Sequence, residues 1–109
     1  MTQDLGRRTS SRRDVWLPAT VTIEGDDFDV EIKNVSLGGA LVRISHPLAM
    51  GARVHLTFVL DGLLEVIDAT TVVRWRTGDQ VGLQFDGLRA RETWALSQYL
   101  KPDAAELSA

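Results

Sequence analysis

A chain of 109 residues, 44% of them hydrophobic, has material for one modest core and not for two. Its 15 acidic side chains outnumber 12 basic ones for a net charge of −3, which argues against broad binding to nucleic acid or anionic lipid, because neutralising many phosphates takes an extended basic surface. No apolar run approaches the roughly 18 residues that span a bilayer, the polar N-terminus has no secretory h-region, and the absence of cysteine removes disulfides and thiolate metal ligands; the expectation is a cytoplasmic protein with no membrane insertion.

The chain opens on an exception to its own charge. In "GRRTSSRRDVWLP" the arginines Arg7, Arg8, Arg12 and Arg13 fall within seven positions, and residues 1–13 hold a single acid, Asp4. From Asp14 onward 8 basic residues meet 14 acidic ones, a net of −6. Alternation of period two then takes over. Val15, Leu17, Ala19, Val21 and Ile23 share one strand face, "EGDD" turns the chain, and Phe28, Val30 and Ile32 resume the pattern as a hairpin. After "SLGG", Ala40, Val42 and Ile44 alternate until "SHPLAMG"; Val54, Leu56, Phe58 and Leu60 follow and close on Asp61-Gly62. A longer strand runs from about Leu64 to Trp75, "TGDQ" turns it, and "VGLQF" returns. Short strands at this spacing predict an all-β fold, a closed or nearly closed antiparallel barrel. Leu88, Glu92, Ala95, Leu96, Tyr99 and Leu100 fall on one side of a helix that stops before Pro102, placed to plug or flank one barrel end. Residues 1–10 and 102–109 have no periodicity and are expected to be loose.

Nothing in the sequence proposes a catalytic centre, so the expectation is that the protein is not an enzyme. His46 precedes Pro47 in a turn, His55 lies on the polar side of a strand, and neither has a partner at metal-ligand spacing. The glycines match neither a dinucleotide fingerprint nor a P-loop, and no serine sits in a nucleophile elbow. Two polar stretches remain. Arg8 and Arg12 bracket "TSS" before the first strand, and Asn34, Ser36 and Gly39 punctuate "NVSLGG" after the second. If these strands pair as a hairpin, its open end brings the two stretches together. Arginine offers a planar donor fork for phosphate oxygens or the O6/N7 edge of guanine, and a flat face for stacking. Asparagine carries donors and an acceptor, serine a hydroxyl, and glycine lets a ligand approach the backbone. The set describes a purine-nucleotide site without a metal.

Arg8-x-x-x-Arg12, followed about twenty residues later by Asn34-x-Ser36-x-x-Gly39, resembles the two-part signature of PilZ domains, bacterial receptors for cyclic di-GMP; "VVRWRTGDQVGLQF" and a closing helix resemble the end of that fold. The resemblance implies a six-stranded antiparallel β-barrel, the PilZ-like split barrel, with a C-terminal α-helix. It implies a disordered N-terminal tail over 1–6, the barrel with its helix over 7–101 and a flexible tail over 102–109. It further implies that Arg8 and Arg12 grip guanines and phosphates, that Asn34 and Ser36 make polar contacts to a guanine with Gly39 giving clearance, and that Trp75 stands near the site. An arginine at the place of Arg7 accompanies two stacked ligand molecules in such domains. The ligand is then cyclic di-GMP, with no cofactor, and the receptor signals to an unidentified protein partner through its arginine arm.

Each residue also has a plainer reading. Arg8 and Arg12 suit a solubilising arm, Asn34, Ser36 and Gly39 are turn formers, and Trp75 suits barrel packing. Arg7 and Arg13 could add field only, and Trp94, at the edge of the helix's apolar stripe, suits packing or a partner contact. Two further functions stay open: a PilZ-like interaction module that docks a protein without nucleotide, and a small single-stranded nucleic-acid-binding barrel whose basic arm tracks the backbone.

Overall fold

The computed structural model describes residues 12–60, 62 and 65–100. The two expected tails, and with them Arg7 and Arg8, lie outside the described residues. Six strands run in order: β1 (Arg12–Ile23), β2 (Asp26–Ser36), β3 (Gly39–Arg43), β4 (Arg53–Leu60), β5 (Glu65–Thr77) and β6 (Gln80–Phe85), followed by α1 (Ala90–Leu100). All neighbours are antiparallel, and the sheet closes as β1-β2-β3-β6-β5-β4, with Ala19–Thr22 of β1 meeting Phe58–His55 of β4. The first turn is tighter than "EGDD": Glu24 and Gly25 both take positive φ, 52° and 88°, and Asp26 and Asp27 already belong to β2. Two consecutive positive φ values match the right-handed twist of the flanking strands.

Alternation fills the barrel. Val21, Ile32, Leu56, Leu60, Ile67 and Val81 lose all contact with solvent, each burial being worth about 1.5–3 kcal/mol. Thr71 joins them because its hydroxyl donates to the Val54 carbonyl at 2.9 Å. α1 packs on β4 and β5 and buries Ala95, Leu96 and Tyr99. Trp94 stays outside, 58% exposed.

Glu92 is the apparent misfit on the helix's apolar stripe. It is buried, and its carboxylate accepts from the Asp68 backbone N–H at 2.8 Å, from the Arg89 backbone N–H at 3.2 Å and from the Arg89 guanidinium at 3.0 Å. Arg89 precedes the first helical residue, so Glu92 reaches back as in a capping box while it ties α1 to β5. These donors, the Arg89 guanidinium first, hold its carboxyl below the ordinary 4.5. A folded-state value below the unfolded one means that the stabilisation is present above about pH 4.5 and is lost as pH falls through the lower, folded-state value. Glu92→Ala is expected to cost about 2–3 kcal/mol at pH 7, as for several bonds to a charged group. In paired thermal melts the gap between wild type and variant should shrink below pH 4 or so; a gap independent of pH would refute the role of the carboxylate.

Arg13 has a defined place. Its Nη1 donates to the Tyr99 carbonyl at 2.7 Å and its guanidinium lies 4.5 Å from the centre of the Tyr99 ring. Arg12 and Arg13 follow residues 1–10, for which the sequence predicts no regular element. Both belong to β1, where ladder hydrogen bonds to β2 and the Tyr99 contact offset the entropy of ordering them.

Candidate functional site

Strict alternation would send Asn34, Ser36 and Trp75 into the barrel, because Val30, Ile32 and Val73 point inward. Two bulges reverse them. Between Ile32↔Val42 and Asn34↔Leu41, Lys33 is an extra residue in β2, so that Val35 becomes the buried residue and Asn34 and Ser36 turn outward. Between Val73↔Leu83 and Trp75↔Gly82, Arg74 is an extra residue in β5, and Trp75 emerges 43% exposed. A bulge re-aims every side chain beyond it. On the β1 side of Lys33 the ladder also slips, with Val15 and Trp16 set against that one residue; the Lys33 ammonium stands 4.3 Å from the centre of the exposed Trp16 ring.

The re-aimed residues meet in one outer pocket of about 210 Å³, spanning β2, β3, β6 and β5 and lined among others by Asn34, Ser36, Leu41, Arg74, Trp75 and Gln84. Arg12 reaches the same region by register, its backbone directly opposite Ser36 at the open end of the β1–β2 hairpin. The structure thus gathers Asn34, Ser36, Gly39 and Trp75 around one cavity with the Arg12 backbone beside it, while Arg7 and Arg8 lie outside the described residues.

The polar groups differ in how far they are engaged. The Asn34 amide makes no hydrogen bond to another described side chain or backbone group. Ser36 is partly a turn former: its Oγ accepts from the Gly38 N–H at 3.1 Å and donates to the Gly39 carbonyl at 3.4 Å, the latter long for a hydroxyl donor. Gly39 lines the pocket and also faces β6: a Cβ there would sit 2.1 Å from the Leu83 carbonyl oxygen, so its bareness lets β3 approach β6. Gly82 lines the pocket too: a Cβ there would lie 2.2 Å from Trp75 Nε1, so the indole rests on the Gly82 backbone.

Sequence reasoning missed Arg74, Gln84 and Gly82 as pocket residues. Trp75 and Gly82 are seven apart in sequence but cross-strand partners in space. Arg74 donates through Nε to the Gln84 side-chain oxygen. Elsewhere among the described residues Arg43, Arg53, Arg89 and Arg91 each meet a carboxylate, and the Asp79 carboxyl is held low by the Arg43 guanidinium. Arg74 forms no such ion pair with a described residue. The histidines are accounted for by local contacts: His55 pairs with Asp68, and the His46 ring centre lies 4.2 Å from that of Phe28. Among the described residues there is no cluster of three or more potential metal ligands and no helix long and apolar enough to cross a membrane.

The chain is a closed antiparallel barrel with a packed helix and a lateral pocket of amide, indole and guanidinium groups. The PilZ domain family matches residues 6–101, and the chain belongs to that family. Its fold is similar to that of the inhibitor of motility MotI/DgrA from Bacillus subtilis, with a TM-score of 0.74 and 25% identity over 86% of this chain and 49% of that one. The PilZ domain of CeSA from a cellulose synthesizing bacterium superposes with a TM-score of 0.66 at 18% identity, covering 90% of this chain and 98% of that one. The PlzA protein of Borreliella burgdorferi, solved in complex with c-di-GMP, gives a TM-score of 0.51 at 22% identity over 77% of this chain and 32% of that one. The chain spans about half the length of MotI/DgrA and about a third of PlzA. No match to this sequence is found among curated proteins.

Proposed function

We propose that this chain is a cyclic di-GMP receptor acting as an adaptor in the cytoplasm, with no chemistry of its own. The observation that carries the reading is the paired bulges at Lys33 and Arg74, which turn Asn34, Ser36 and Trp75 out of the barrel into one pocket beside Arg12. At about 210 Å³ the pocket is smaller than the roughly 300–1,000 Å³ of a site that encloses a drug-sized ligand. It suits one base, stacked against Trp75 and met on its edge by Asn34 and Ser36. The phosphates then fall to Arg8 and Arg12, whose guanidinium forks match phosphate oxygens. Arginine charge alone balances such a dianion, and the reading needs no metal.

Signalling follows from the same division of labour. The segment that carries Arg7 and Arg8 changes conformation when the phosphates engage it, and the new surface is offered to a protein partner. Arg7 adds the charge that a second stacked ligand would require. Calorimetric titration with cyclic di-GMP, GTP and single-stranded oligonucleotides tests the reading: the first should bind in the nanomolar to micromolar range and the others weakly. Retention of oligonucleotide alone would favour a nucleic-acid barrel, and no binding at all a nucleotide-independent docking module. Asn34→Ala and Ser36→Ala should each weaken cyclic di-GMP binding by about 1–3 kcal/mol. The salt dependence should hardly change, because neutral contacts to a base displace no counterions. An altered salt slope in either variant would place these residues on a phosphate instead.

A further inference from the structure

We infer that Arg74, held in place by Gln84, is a specificity-determining residue that reads the N7/O6 edge of a guanine in the pocket, an inference that rests on the receptor reading above. Arg74 and Gln84 form one wall of the cavity, next to Trp75. Arg74 Nε donates to Gln84 Oε1, which settles the orientation of the amide and occupies one of the two lone pairs of its oxygen. What this wall offers is mostly donors, the Nη groups of Arg74 and the Nε2 group of Gln84, against the one remaining lone pair of Gln84 Oε1. The best-matched occupant presents acceptors to it. Guanine has two adjacent ones, N7 and O6, on its major-groove edge. Adenine has N7 beside the N6 amino donor, which would set N–H against N–H.

Charge and shape support the same assignment. Arg43, Arg53, Arg89 and Arg91 are neutralised by carboxylates, whereas Arg74 leans on an uncharged amide and meets no carboxylate among the described residues. The neighbouring wall is the Trp75 ring seated on Gly82, and a flat aromatic wall calls for a base rather than a phosphate beside Arg74. The extra residue that turns Trp75 outward is Arg74 itself, so a single bulge supplies both the stacking surface and the edge reader.

Competition among three cyclic dinucleotides separates the possibilities. Cyclic di-GMP and cyclic di-IMP share N7 and O6, and cyclic di-IMP lacks only the 2-amino group; cyclic di-AMP replaces O6 by an amine. Wild type should prefer cyclic di-GMP to cyclic di-AMP by about tenfold or more, the scale of one bidentate base contact. Arg74→Ala should weaken cyclic di-GMP and cyclic di-IMP together by about tenfold and leave cyclic di-AMP nearly unchanged, so that discrimination collapses. Arg74→Lys keeps the charge but not the fork and should lose discrimination as well. Gln84→Glu, which would hold Arg74 in an ion pair, should do so in part. Thermal melts check that each variant is folded, as an exposed position leads one to expect. If Arg74→Ala weakens all three ligands equally, the arginine serves a phosphate or the general field and the inference fails. It fails too if discrimination survives intact. A wild type that binds none of the three overturns the receptor reading itself, an outcome distinct from both.

Discussion

Arg12→Ala is expected to weaken cyclic di-GMP binding by at least about 2 kcal/mol, roughly thirtyfold, the cost of losing charge-assisted contacts to a phosphate. The Arg12 backbone is paired in β1 opposite Ser36, so no backbone ordering is left to be done there when the ligand binds. Arg8→Ala should act in the same direction with the same order of effect. Arg12→Lys should not rescue binding, because an ammonium cannot reproduce the planar fork. The loss should be largest at low ionic strength and narrow as salt screens the phosphate contacts. Calorimetry at two salt concentrations reads both features. Wild-type affinity in a folded Arg12→Ala protein would remove the phosphates from the N-terminal side of the hairpin.

Gly39→Ala is expected to destabilise the fold by about 3 kcal/mol, at the upper end of the usual cost of overpacking. The added Cβ would meet the Leu83 carbonyl oxygen at 2.1 Å and the Gln84 Cα at 3.1 Å, both backbone atoms of β6 that cannot step aside without opening the β3–β6 ladder. For a domain of this size the melting temperature should fall by about 10–20 °C. Gly82→Ala makes the instructive contrast. Its Cβ would collide with the indole of Trp75, an exposed side chain that can swing away. Stability should then change little while ligand affinity and Trp fluorescence do. A Gly39→Ala protein that melts like wild type would show that the two strands have slack that the structure does not display.

What could be read from the sequence divides along one physical line. Period-two alternation located the six strands and the inner faces of β1 to β4 as far as the bulges, and the 3.6-residue pattern located α1, because burial repeats along the chain in each case. The bulges left no such trace. Neither Lys33 nor Arg74 is a glycine or proline that marks a break, and an extra residue becomes visible only when the partner strand's register is known. For that reason Trp75 stood undecided between core and surface until the register set it outward. Gly39 was expected to give a ligand clearance, and its second constraint could not be read locally: a Cβ there would meet Leu83 of β6, a strand that begins 41 residues later at Gln80. Arg13 and Tyr99 are 86 residues apart, and no local pattern joins them. Glu92 could be placed on the apolar stripe but its burial not explained there, since one of the two N–H groups that it satisfies, that of Asp68, lies on β5.

The bulges can also be considered as genetic events. Each inserts one residue, hence one codon, and each sets the inside-or-outside parity of everything that follows it on its strand. Substitutions at Asn34, Ser36 or Trp75 therefore tune affinity by degrees, whereas deletion of Lys33 or Arg74 would turn Asn34 and Ser36, or Trp75, toward the barrel interior in one step with every motif residue still written in the gene. A descendant of this chain could keep both motifs letter for letter and yet have lost its pocket, and the mark of that loss would be a difference of one in strand length.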